Sequence, residues 1–370
     1  MRTAAKRLVE TMLGQAGIQP GGSAPWDIRI HDERLYDRIV SEKNLGLGNG
    51  YVEGWWDCPR VDSFIWKVLS AGLNTRLHAH LKLLVRAIPS YILNMQTRRG
   101  ATKVAREHYD LGNDLFFSFL DPYRQYSCGY FKDTRELDQA QIAKMEMICR
   151  KLNLSSRDHV LDIGCGWGGL AKYMATQYGC RVTGINISKE QIEYARTFCK
   201  GLPVEILDQD YRDVRGSFDK IVSVGMFEHV GSKNYRCFME QAHSLLKKHG
   251  IFLLHTIGGN AVNSTCDPWI TRYIFPHGML PSMAQIARAC EDVFVIEDVH
   301  NIGPHYDPTL LAWHKGFMAH WEGLKERYGE AFRRMWEYYL LSCAGAFRAR
   351  DIQVWQIVMT ETGQKQPVCR

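Results

Sequence analysis

The sequence predicts an α/β protein in which a small, mainly helical N-terminal domain precedes a seven-stranded, mostly parallel sheet. Three observations lead to this prediction. Beyond residue 155, apolar strand-like runs alternate with helical runs, as in a doubly wound parallel sheet. The first run passes directly into a glycine-rich turn and a helix, which is typical of the ligand-binding turn of open α/β sheets. The first hundred residues show apolar side chains at helical spacing instead.

The start of the N-terminal domain is predicted as a series of short elements. Residues 1–14 have a helical pattern, residues 26–30 resemble a strand, and a second helix passes through Leu35 and Ile39. The glycines and paired tryptophans of LGLGNGYVEGWWDC then predict a compact, turn-rich module.

The rest of this domain is predicted to be helical. From residue 61 to residue 95 the apolar spacing indicates one long helix, which Pro89 ends or kinks. The polar, basic segment QTRRGATKVAR follows. We place the domain boundary there, near Arg99, and predict domains at 1–98 and 99–370.

The second domain is predicted to carry seven strands with helices between them. A late insertion at residues 267–281 suits a Rossmann-like transferase better than a barrel, and no internal repeat is visible. The clearest helices cover residues 189–199 and 233–246. The predicted strands cover residues 159–163, 181–185, 204–207, 220–224, 250–255, 294–299 and 353–359.

Positive charge is concentrated in the first quarter of the chain. The formal net charge is +6, and residues 1–100 hold 14 Lys and Arg against 9 Asp and Glu. A basic stretch, residues 63–106, has no carboxylate, and this pattern predicts an anionic partner. Because one face of the stretch is strongly apolar, a lipid surface is favoured over nucleic acid. Its basic residues are Lys67, Arg76, Lys82, Arg86, Arg98, Arg99, Lys103 and Arg106.

Cysteine usage and targeting signals indicate the compartment. The 11 cysteines are scattered without a CxxC pair, so we expect reduced thiols in the cytoplasm and no metal site. The N-terminus lacks the apolar block of a signal peptide, and no run approaches the roughly 20 apolar residues that span a bilayer. We therefore expect any membrane contact to be peripheral, at the inner surface.

A glycine-rich turn, VLDIGCGWGG, carries the clearest binding signal. Asp162 and the glycines at 164, 166 and 168 form a D-x-G-x-G-x-G pattern, and no phosphate-binding loop occurs elsewhere. The pattern resembles the first motif of S-adenosylmethionine-dependent methyltransferases. In most such enzymes an acidic residue ends the second strand, whereas Asn186 stands there in this chain, and its amide, with that of Gln191, could hold the ribose. Asp210 and Tyr211 could frame the adenine.

Several residues that could perform acid/base chemistry follow later strands. Glu228 lies in SVGMFEHVG after the fourth strand, His255 ends the fifth, and Tyr306 follows the sixth. With Cys128 of QYSCGY they form a candidate acid/base cluster of carboxylate, imidazole, phenol and thiol. The [DNS]PP[FYW] pattern of enzymes that methylate bases is absent, which disfavours a nucleic-acid substrate.

Eight ordered motifs together resemble the cyclopropane-fatty-acyl-phospholipid synthases, of the mycolic acid cyclopropane synthase family. The resemblance covers nearly the whole chain and includes the N-terminal module of the longer bacterial members. The motifs are HYDLGNDLF, DPYRQYSC, VLDIGCGWGGL, QDYRD, SVGMFEHVG, FLLHTIG, DPWITRYIFPHG and CAGAFRARDIQVWQ.

The resemblance implies a class I methyltransferase that transfers a methyl group from S-adenosylmethionine to a cis double bond in a phospholipid acyl chain. An alkene is a weak nucleophile, so the site must align it with the methyl group and exclude water from the resulting carbocation. A proton must then leave so that the cyclopropane ring closes. The resemblance implies that bound bicarbonate is the base and that Glu228, paired with His255, sets its protonation. The implied ligands are Cys128, Glu228, His255, the backbone N–H of Ile257, and Tyr306.

The resemblance also implies the cofactor contacts and the acyl pocket. Tyr109, Phe275 and Tyr306 match aromatic positions of the acyl pocket, where aromatic faces suit a cation. Cys343 matches a cysteine proposed as active in the family. Because methyl transfer to an alkene needs no covalent enzyme intermediate, we expect a buried structural thiol. The implied cofactor contacts are Tyr126, Ser127, Asp162, Gly164, Cys165, Gly166, Trp167, Gly168, Asn186, Gln191, Tyr211 and Arg212.

Alternatives remain open from the sequence. The same carbocation could give a branched instead of a cyclised fatty acid. A small-molecule N- or O-methyltransferase would explain the glycine turn but not the basic stretch. A non-enzymatic membrane-binding protein would explain the basic stretch but not the acid/base cluster. Because long two-domain relatives are dimers, we also expect a homodimer.

Overall fold

The computed structural model describes residues 2–73, 111–262 and 266–369. Two compact units divide the chain, and each is assembled from separated segments. The unit that we call the helical unit contains Met1–Ile92, Cys266–Pro276 and Asp307–Ile352. The other, the sheet unit, contains Leu93–Thr265, His277–Tyr306 and Gln353–Arg370. The boundary predicted near Arg99 lies outside the described residues, so the division into 1–98 and 99–370 stays a prediction.

The N-terminal part of the helical unit consists of short elements. The two short strands pair antiparallel, with Arg29 opposite Asp57. The predicted strand at 26–30 is therefore confined to its last two residues. The elements are α1 (Arg2–Gln15), β1 (Arg29–Ile30), α2 (Arg34–Glu42), α3 (Asn44–Val52), β2 (Trp56–Asp57) and α4 (Val61–Ser70).

The glycine-rich segment after α2 is a helix, so the prediction of a turn-rich module there was wrong. The glycines of α3 are required by close packing. A Cβ at Gly46 would lie 2.5 Å from the carbonyl oxygen of Arg38, and one at Gly48 would lie 2.5 Å from the indole ring of Trp269. The lost helix propensity of glycine is offset because the backbone of α3 can approach its neighbours this closely.

The long helix predicted over residues 61–95 does not continue beyond Ser70 in the described part of the chain. Turn residues follow α4, and Gly72 adopts a left-handed φ of +67°. Glycine reaches this region without the steric cost that other residues incur, so it ends the helix readily. The remainder of the predicted helix, with Pro89, lies outside the described residues.

The remaining elements alternate as predicted. All seven strands predicted for the second domain are present, most with an extra residue or more at an end. In chain order the elements are α5 (Asn113–Phe117), α6 (Leu137–Lys151), β3 (His159–Ile163), α7 (Gly169–Tyr178), β4 (Arg181–Asn186), α8 (Lys189–Phe198), β5 (Val204–Asp208), β6 (Phe218–Val224), α9 (Tyr235–Leu245), β7 (Leu246–Gly259), α10 (Pro268–Tyr273), α11 (Met283–Cys290), β8 (Val295–Asn301), α12 (Tyr306–Ala319), α13 (Trp321–Arg348) and β9 (Ile352–Thr360).

The sheet has the order β5-β4-β3-β6-β7-β9-β8. Strands β3 to β7 pair in parallel along the β5-β4-β3-β6-β7 run, and β8 pairs antiparallel with β9. The chain reverses its direction of winding between β3 and β6. In open α/β sheets the crevice at this switch point, beyond the carboxyl ends of the strands, is where ligands bind. The predicted α/β class is confirmed, and the topology makes this edge the candidate binding site.

Both faces of the sheet are covered, which explains why its strands are apolar runs rather than alternating ones. Leu161 and Ile163 of β3 pack with Phe252 of β7 on one face. Val160 of β3 packs with Val222 of β6 on the opposite face. The rigid sheet therefore fixes the strand ends, and with them the residues that follow.

Candidate active site

The glycine turn, residues 164–168, leaves the sheet where β3 ends. The backbone N–H groups of Gly164 and Cys165 both donate to the carbonyl oxygen of Ile185 at 3.0 Å, which ties the turn to β4. Gly164 has a φ of +84°, and a Cβ there would lie 2.9 Å from the side chain of Met226. Glycine at this position thus lets the turn approach the segment that follows β6.

Asn186, at the carboxyl end of β4, connects the glycine turn to α8. Its Nδ2 donates to the carbonyl oxygen of Gly166 at 3.2 Å and to Oε1 of Gln191 at 2.8 Å. Its Oδ1 accepts from the backbone N–H of Ile187 at 2.7 Å. The structure therefore brings together the two amides that the sequence predicted to replace the missing acidic residue.

The loop of residues 121–128 packs against the start of α7. A Cβ at Gly169 would collide with the carbonyl oxygen of Tyr123, so only glycine allows this approach. The carboxylate of Asp121 accepts from the backbone N–H groups of Tyr123 and Gln125, each at 2.8 Å. This loop carries Tyr126 and Ser127, and it is held beside the glycine turn.

Helix α5 positions two of the three aromatic residues predicted as cofactor contacts, Tyr126 and Trp167. Nε1 of Trp167 donates to Oδ1 of Asn113 at 2.7 Å. The ring of Phe116 packs on Trp167 with centroids 5.1 Å apart and on Tyr126 with centroids 5.2 Å apart. Asn113 and Phe116 stand in the HYDLGNDLF motif, but reasoning from the sequence assigned them no role.

Tyr211 and Arg212 form a short 3-10 turn after β5. The guanidinium of Arg212 makes a bidentate pair with Asp210, at 2.8 and 2.6 Å. Tyr211 packs edge-on against Phe238, with ring centroids 5.1 Å apart. Asp210 thus holds Arg212 in place, and its own role in framing the adenine stays a prediction.

Glu228 lies in a 3-10 turn just beyond β6 and is buried. Its Oε1 accepts from the backbone N–H of Ile257 at 2.6 Å, whereas its Oε2 is buried with no hydrogen-bond partner among the described residues. Burial raises the pKa of this carboxyl to about 7. A carboxyl in this state can both hold and release a proton near neutral pH.

His255 lies on β7, opposite the last residue of β6, and is only 2% exposed. Its Nδ1 is 3.3 Å from the amide Nε2 of Gln356 on β9. Burial, followed by the charges of Lys144 and Lys151, lowers the pKa of His255 well below its usual range. The ring is therefore neutral, and a proton on its Nε2 is available for donation to a ligand when Gln356 donates to Nδ1.

The structure shows no hydrogen bond between Glu228 and His255, and their joint role at the ligand stays a prediction. Glu228 is held by the backbone of β7 at Ile257, and His255 is held by Gln356. Both side chains nonetheless belong to the same pair of strand ends, since Gly225 donates its backbone N–H to the carbonyl oxygen of His255 at 2.9 Å.

Cys128 and Tyr306 belong to two segments that contact each other. Sγ of Cys128 is buried and lies 3.9 Å from the carbonyl oxygen of Ile302. The backbone N–H of Phe131 donates to Nδ1 of His305 at 3.1 Å. Tyr306, the first residue of α12, follows directly and is 7% exposed.

Three predicted residues belong to neither the glycine turn nor the acid/base cluster of the sheet unit as the structure describes them. Tyr109 falls outside the described residues. Phe275 and Cys343 belong to the helical unit, where Phe275 packs on Tyr339 with ring centroids 5.9 Å apart. Burial, with a smaller contribution from nearby Cys266, raises the pKa of the Cys343 thiol far above its usual range, and such a thiol is a poor nucleophile.

Two buried residues at this site were missed by reasoning from the sequence. Lys144 and Gln356 are both fully buried. Lys144 stands in the amphipathic pattern of α6, and Gln356 interrupts the apolar run of β9. A polar residue at an expected core position was the available signal, because buried polar groups need specific partners.

Residues 2–73, 111–262 and 266–369 contain no group of three or more His, Cys, Asp or Glu residues arranged to hold a metal ion. Within the same ranges, no helix has both the length and the apolar character needed to cross a bilayer.

A sequence model of the family described as mycolic acid cyclopropane synthetase matches residues 96–357. The chain belongs to this family. It is 52% identical over 354 residues to the cyclopropane-fatty-acyl-phospholipid synthase of Escherichia coli strain K12, which covers 96% of this chain and 93% of that protein. It is 39% identical over 274 residues to a probable fatty acid methyltransferase of Pseudomonas putida, which covers 70% of each chain.

A solved family member supports the fold and the cofactor. Mycolic acid cyclopropane synthase CmaA1, crystallised with SAH and CTAB, superimposes with a TM-score of 0.66 and 32% identity, covering 70% of this chain and 98% of that one. Three predictions are thus confirmed. The chain is a member of the cyclopropane synthase family, it has the methyltransferase fold, and it is an S-adenosylmethionine-dependent enzyme.

Proposed function

We propose that this enzyme transfers a methyl group from S-adenosylmethionine to the cis double bond of an unsaturated phospholipid acyl chain and closes a cyclopropane ring. The observation that carries the proposal is the close approach of Gly164 to Met226, where a Cβ on Gly164 would lie 2.9 Å from the Met226 side chain. This approach brings the glycine turn next to the segment that bears Glu228. The similarity to the Escherichia coli synthase over almost the whole chain supports the substrate class.

The glycine turn fits a ligand of this kind. Among the described residues, no atom lies within 4 Å of the position that a Cβ would take at Gly166, so none of them fills the space there. Oδ2 of Asp162, at the base of the turn, is buried with no hydrogen-bond partner among the described residues. S-adenosylmethionine would supply an activated methyl group on a sulfonium. The turn, Asn186 with Gln191, and Tyr126 with Ser127 would hold it.

The acid/base cluster would handle the proton that leaves when the ring closes. A bound bicarbonate would supply the base. Neutral His255 can donate a hydrogen bond to an anion, and Glu228 can do so when it is protonated, because its pKa is about 7. Cys128 and Tyr306, both buried, would complete this pocket and exclude water from the carbocation.

The substrate implies contact with a membrane surface. We propose peripheral binding from the cytoplasm, through the basic stretch, by a homodimer. Each surface Lys or Arg can contribute about 1 kcal/mol of attraction to anionic lipid at low salt. Of the eight basic residues, only Lys67 is described, and it lies over the ring of Trp26 at 4.6 Å. Reversal of Lys82, Arg86, Arg98 and Arg99 to glutamate should abolish sedimentation with anionic vesicles, and unchanged binding would refute this role.

The proposed reaction is tested by incubating the purified enzyme with S-adenosylmethionine and vesicles of a phospholipid with one cis double bond. The mass of the lipid should rise by one CH₂ for each double bond, with production of S-adenosylhomocysteine. Vesicles of the saturated phospholipid are the control and should not change. If the unsaturated lipid gains no mass, the proposal is wrong.

Methylation to a branched fatty acid is the second candidate. The similarity to a probable fatty acid methyltransferase of Pseudomonas putida supports it. Both outcomes share the carbocation: loss of a proton from the transferred methyl group closes the ring, whereas loss of a proton from a neighbouring chain carbon leaves a methyl-branched alkene. Nuclear magnetic resonance of the lipid product separates them, because cyclopropane protons resonate well apart from those of a methyl branch.

A further inference from the structure

Helix α6 presents two fully buried polar side chains, Gln141 and Lys144, to the loop of residues 121–128. Nε2 of Gln141 donates to the carbonyl oxygen of Ser127 at 2.9 Å and to that of Gln125 at 3.4 Å. Nζ of Lys144 donates to Oε1 of Gln125 at 2.6 Å and to Oγ of Ser127 at 2.7 Å. One face of α6 thus holds the backbone and the side chains of the same short segment.

The position of Lys144 is unusual for a lysine. Its side chain is 0% exposed, and lysine is almost never fully buried unless it is paired. Burial lowers its pKa to about 8, while the nearby acidic groups Asp121, Cys128 and Asp162 oppose that shift. Asp162 belongs to the cofactor motif and Cys128 to the acid/base cluster. The ammonium therefore lies where the three segments of the site meet.

The ammonium group of Lys144 determines which atoms accept in its hydrogen bonds to Ser127 and Gln125. An ammonium group is a donor only, so the hydroxyl of Ser127 must accept from it. The hydroxyl proton of Ser127 is then directed to a different acceptor. Gln125 is oriented in the same way: its Oε1 accepts from Lys144, and its Nε2 lies 3.4 Å from the carbonyl oxygen of Tyr123.

We propose that Lys144 is a positioning residue for methyl transfer, which fixes the loop of residues 125–128 and makes the Ser127 hydroxyl a hydrogen-bond donor toward S-adenosylmethionine. This inference rests on the proposed role of Ser127 as a cofactor contact. Lys144 itself touches neither the cofactor nor the reacting atoms. It acts through two side chains whose geometry is set before the ligand arrives, which lowers the cost of binding.

The inference is tested by calorimetric titration of S-adenosylhomocysteine into the full-length enzyme and its Lys144→Met variant. Loss of the charge-assisted hydrogen bond should weaken binding about tenfold or more. Thermal stability should change little, because methionine fills a similar volume and removes a buried charge. The matched control is Lys220→Met, which replaces another buried lysine, on β6 near Asp158 and Asp219, and should bind as the wild type does.

Chemical rescue separates positioning from simple packing. Lys144→Ala should lose affinity to a similar extent, and methylammonium should restore at least part of it by donating to Ser127 and Gln125. Tetramethylammonium, which has no N–H group, should not. If methylammonium restores nothing, or if both variants bind S-adenosylhomocysteine within twofold of the wild type, the proposal is wrong.

A third variant covers the case in which neither substitution at Lys144 folds. Gln125→Met removes one partner of the ammonium without touching a predicted cofactor contact, and binding should weaken about twofold to fivefold. Unchanged affinity would overturn the proposal. None of these titrations needs lipid or bicarbonate, so their results are independent of the test of cyclopropane formation.

Discussion

The glycine turn and the acid/base cluster lie close together but are built in different ways. The turn is a backbone structure whose contacts, through Asn186 and Gln191, come from residues near it in the sequence. The cluster consists of buried side chains from distant parts of the sequence, from Cys128 to Tyr306, and Oε2 of Glu228 has no hydrogen-bond partner among the described residues. This difference supports the proposed roles, in which the backbone of the turn binds the cofactor and the side chains of the cluster handle the proton.

The substitution with the largest expected effect disrupts the acid/base cluster and leaves the glycine turn intact. Glu228→Gln removes the titrating proton but keeps the shape of the side chain. We expect kcat for methyl transfer to unsaturated phospholipid to fall about a hundredfold or more, as is typical for loss of acid/base function. Affinity for S-adenosylhomocysteine, measured by calorimetry, should stay within about threefold of the wild type.

Glu240→Gln is the matched control for this substitution. Glu240 lies on α9 and is exposed, where it pairs with Arg236. Exposed pairs of this kind contribute little, so activity should be unchanged. If Glu228→Gln keeps full activity, the cluster is not the acid/base site.

The second prediction concerns how the free energy of unfolding of the protein depends on pH. Burial raises the pKa of Glu228 from 4.5 to about 7, so the folded protein binds this proton more tightly than the unfolded chain does. The contribution of this carboxyl to the free energy of unfolding is therefore present below pH 4.5 and is lost as the pH rises to about 7. Glu228→Gln should gain stability relative to the wild type between pH 5 and pH 8, by ~2 kcal/mol.

Urea denaturation at pH 5 and pH 8 measures this gain. Both proteins are compared at each pH, so the titration of other groups cancels. An equal difference between the two proteins at both pH values would show that Glu228 titrates as an ordinary exposed carboxyl.

A substitution with a smaller expected effect disrupts the glycine turn and leaves the acid/base cluster intact. Asn186→Ala removes the hydrogen bonds that connect Gly166 to Gln191. We expect KM for S-adenosylmethionine to rise about tenfold, equivalent to about 1.4 kcal/mol, while kcat at saturation changes less. A fall in kcat with an unchanged KM would mean that Asn186 acts in the chemical step.

The same difference explains what could be predicted from the sequence. The glycine turn and the seven strands are local patterns, so motif and periodicity were sufficient to find them. The helix α3 was missed because its glycines resemble a turn until Gly48 is seen against Trp269. Lys144 and Gln356 were missed because their partners, Ser127 and His255, are distant along the chain. The sequence likewise did not show that Ile257 holds Glu228 and that Gln356 holds His255, since long-range partners decide the contacts of buried polar groups.

The most direct test of the account uses S-adenosylmethionine with a fully deuterated methyl group and vesicles of an unsaturated phospholipid. The turn should deliver the methyl group, and the cluster should then accept one hydrogen nucleus from it. We expect a cyclopropane product that retains two deuterium atoms per ring, as measured by mass spectrometry. A product that retains all three deuterium atoms would contradict it, because the methyl group would then not have lost a proton at this site.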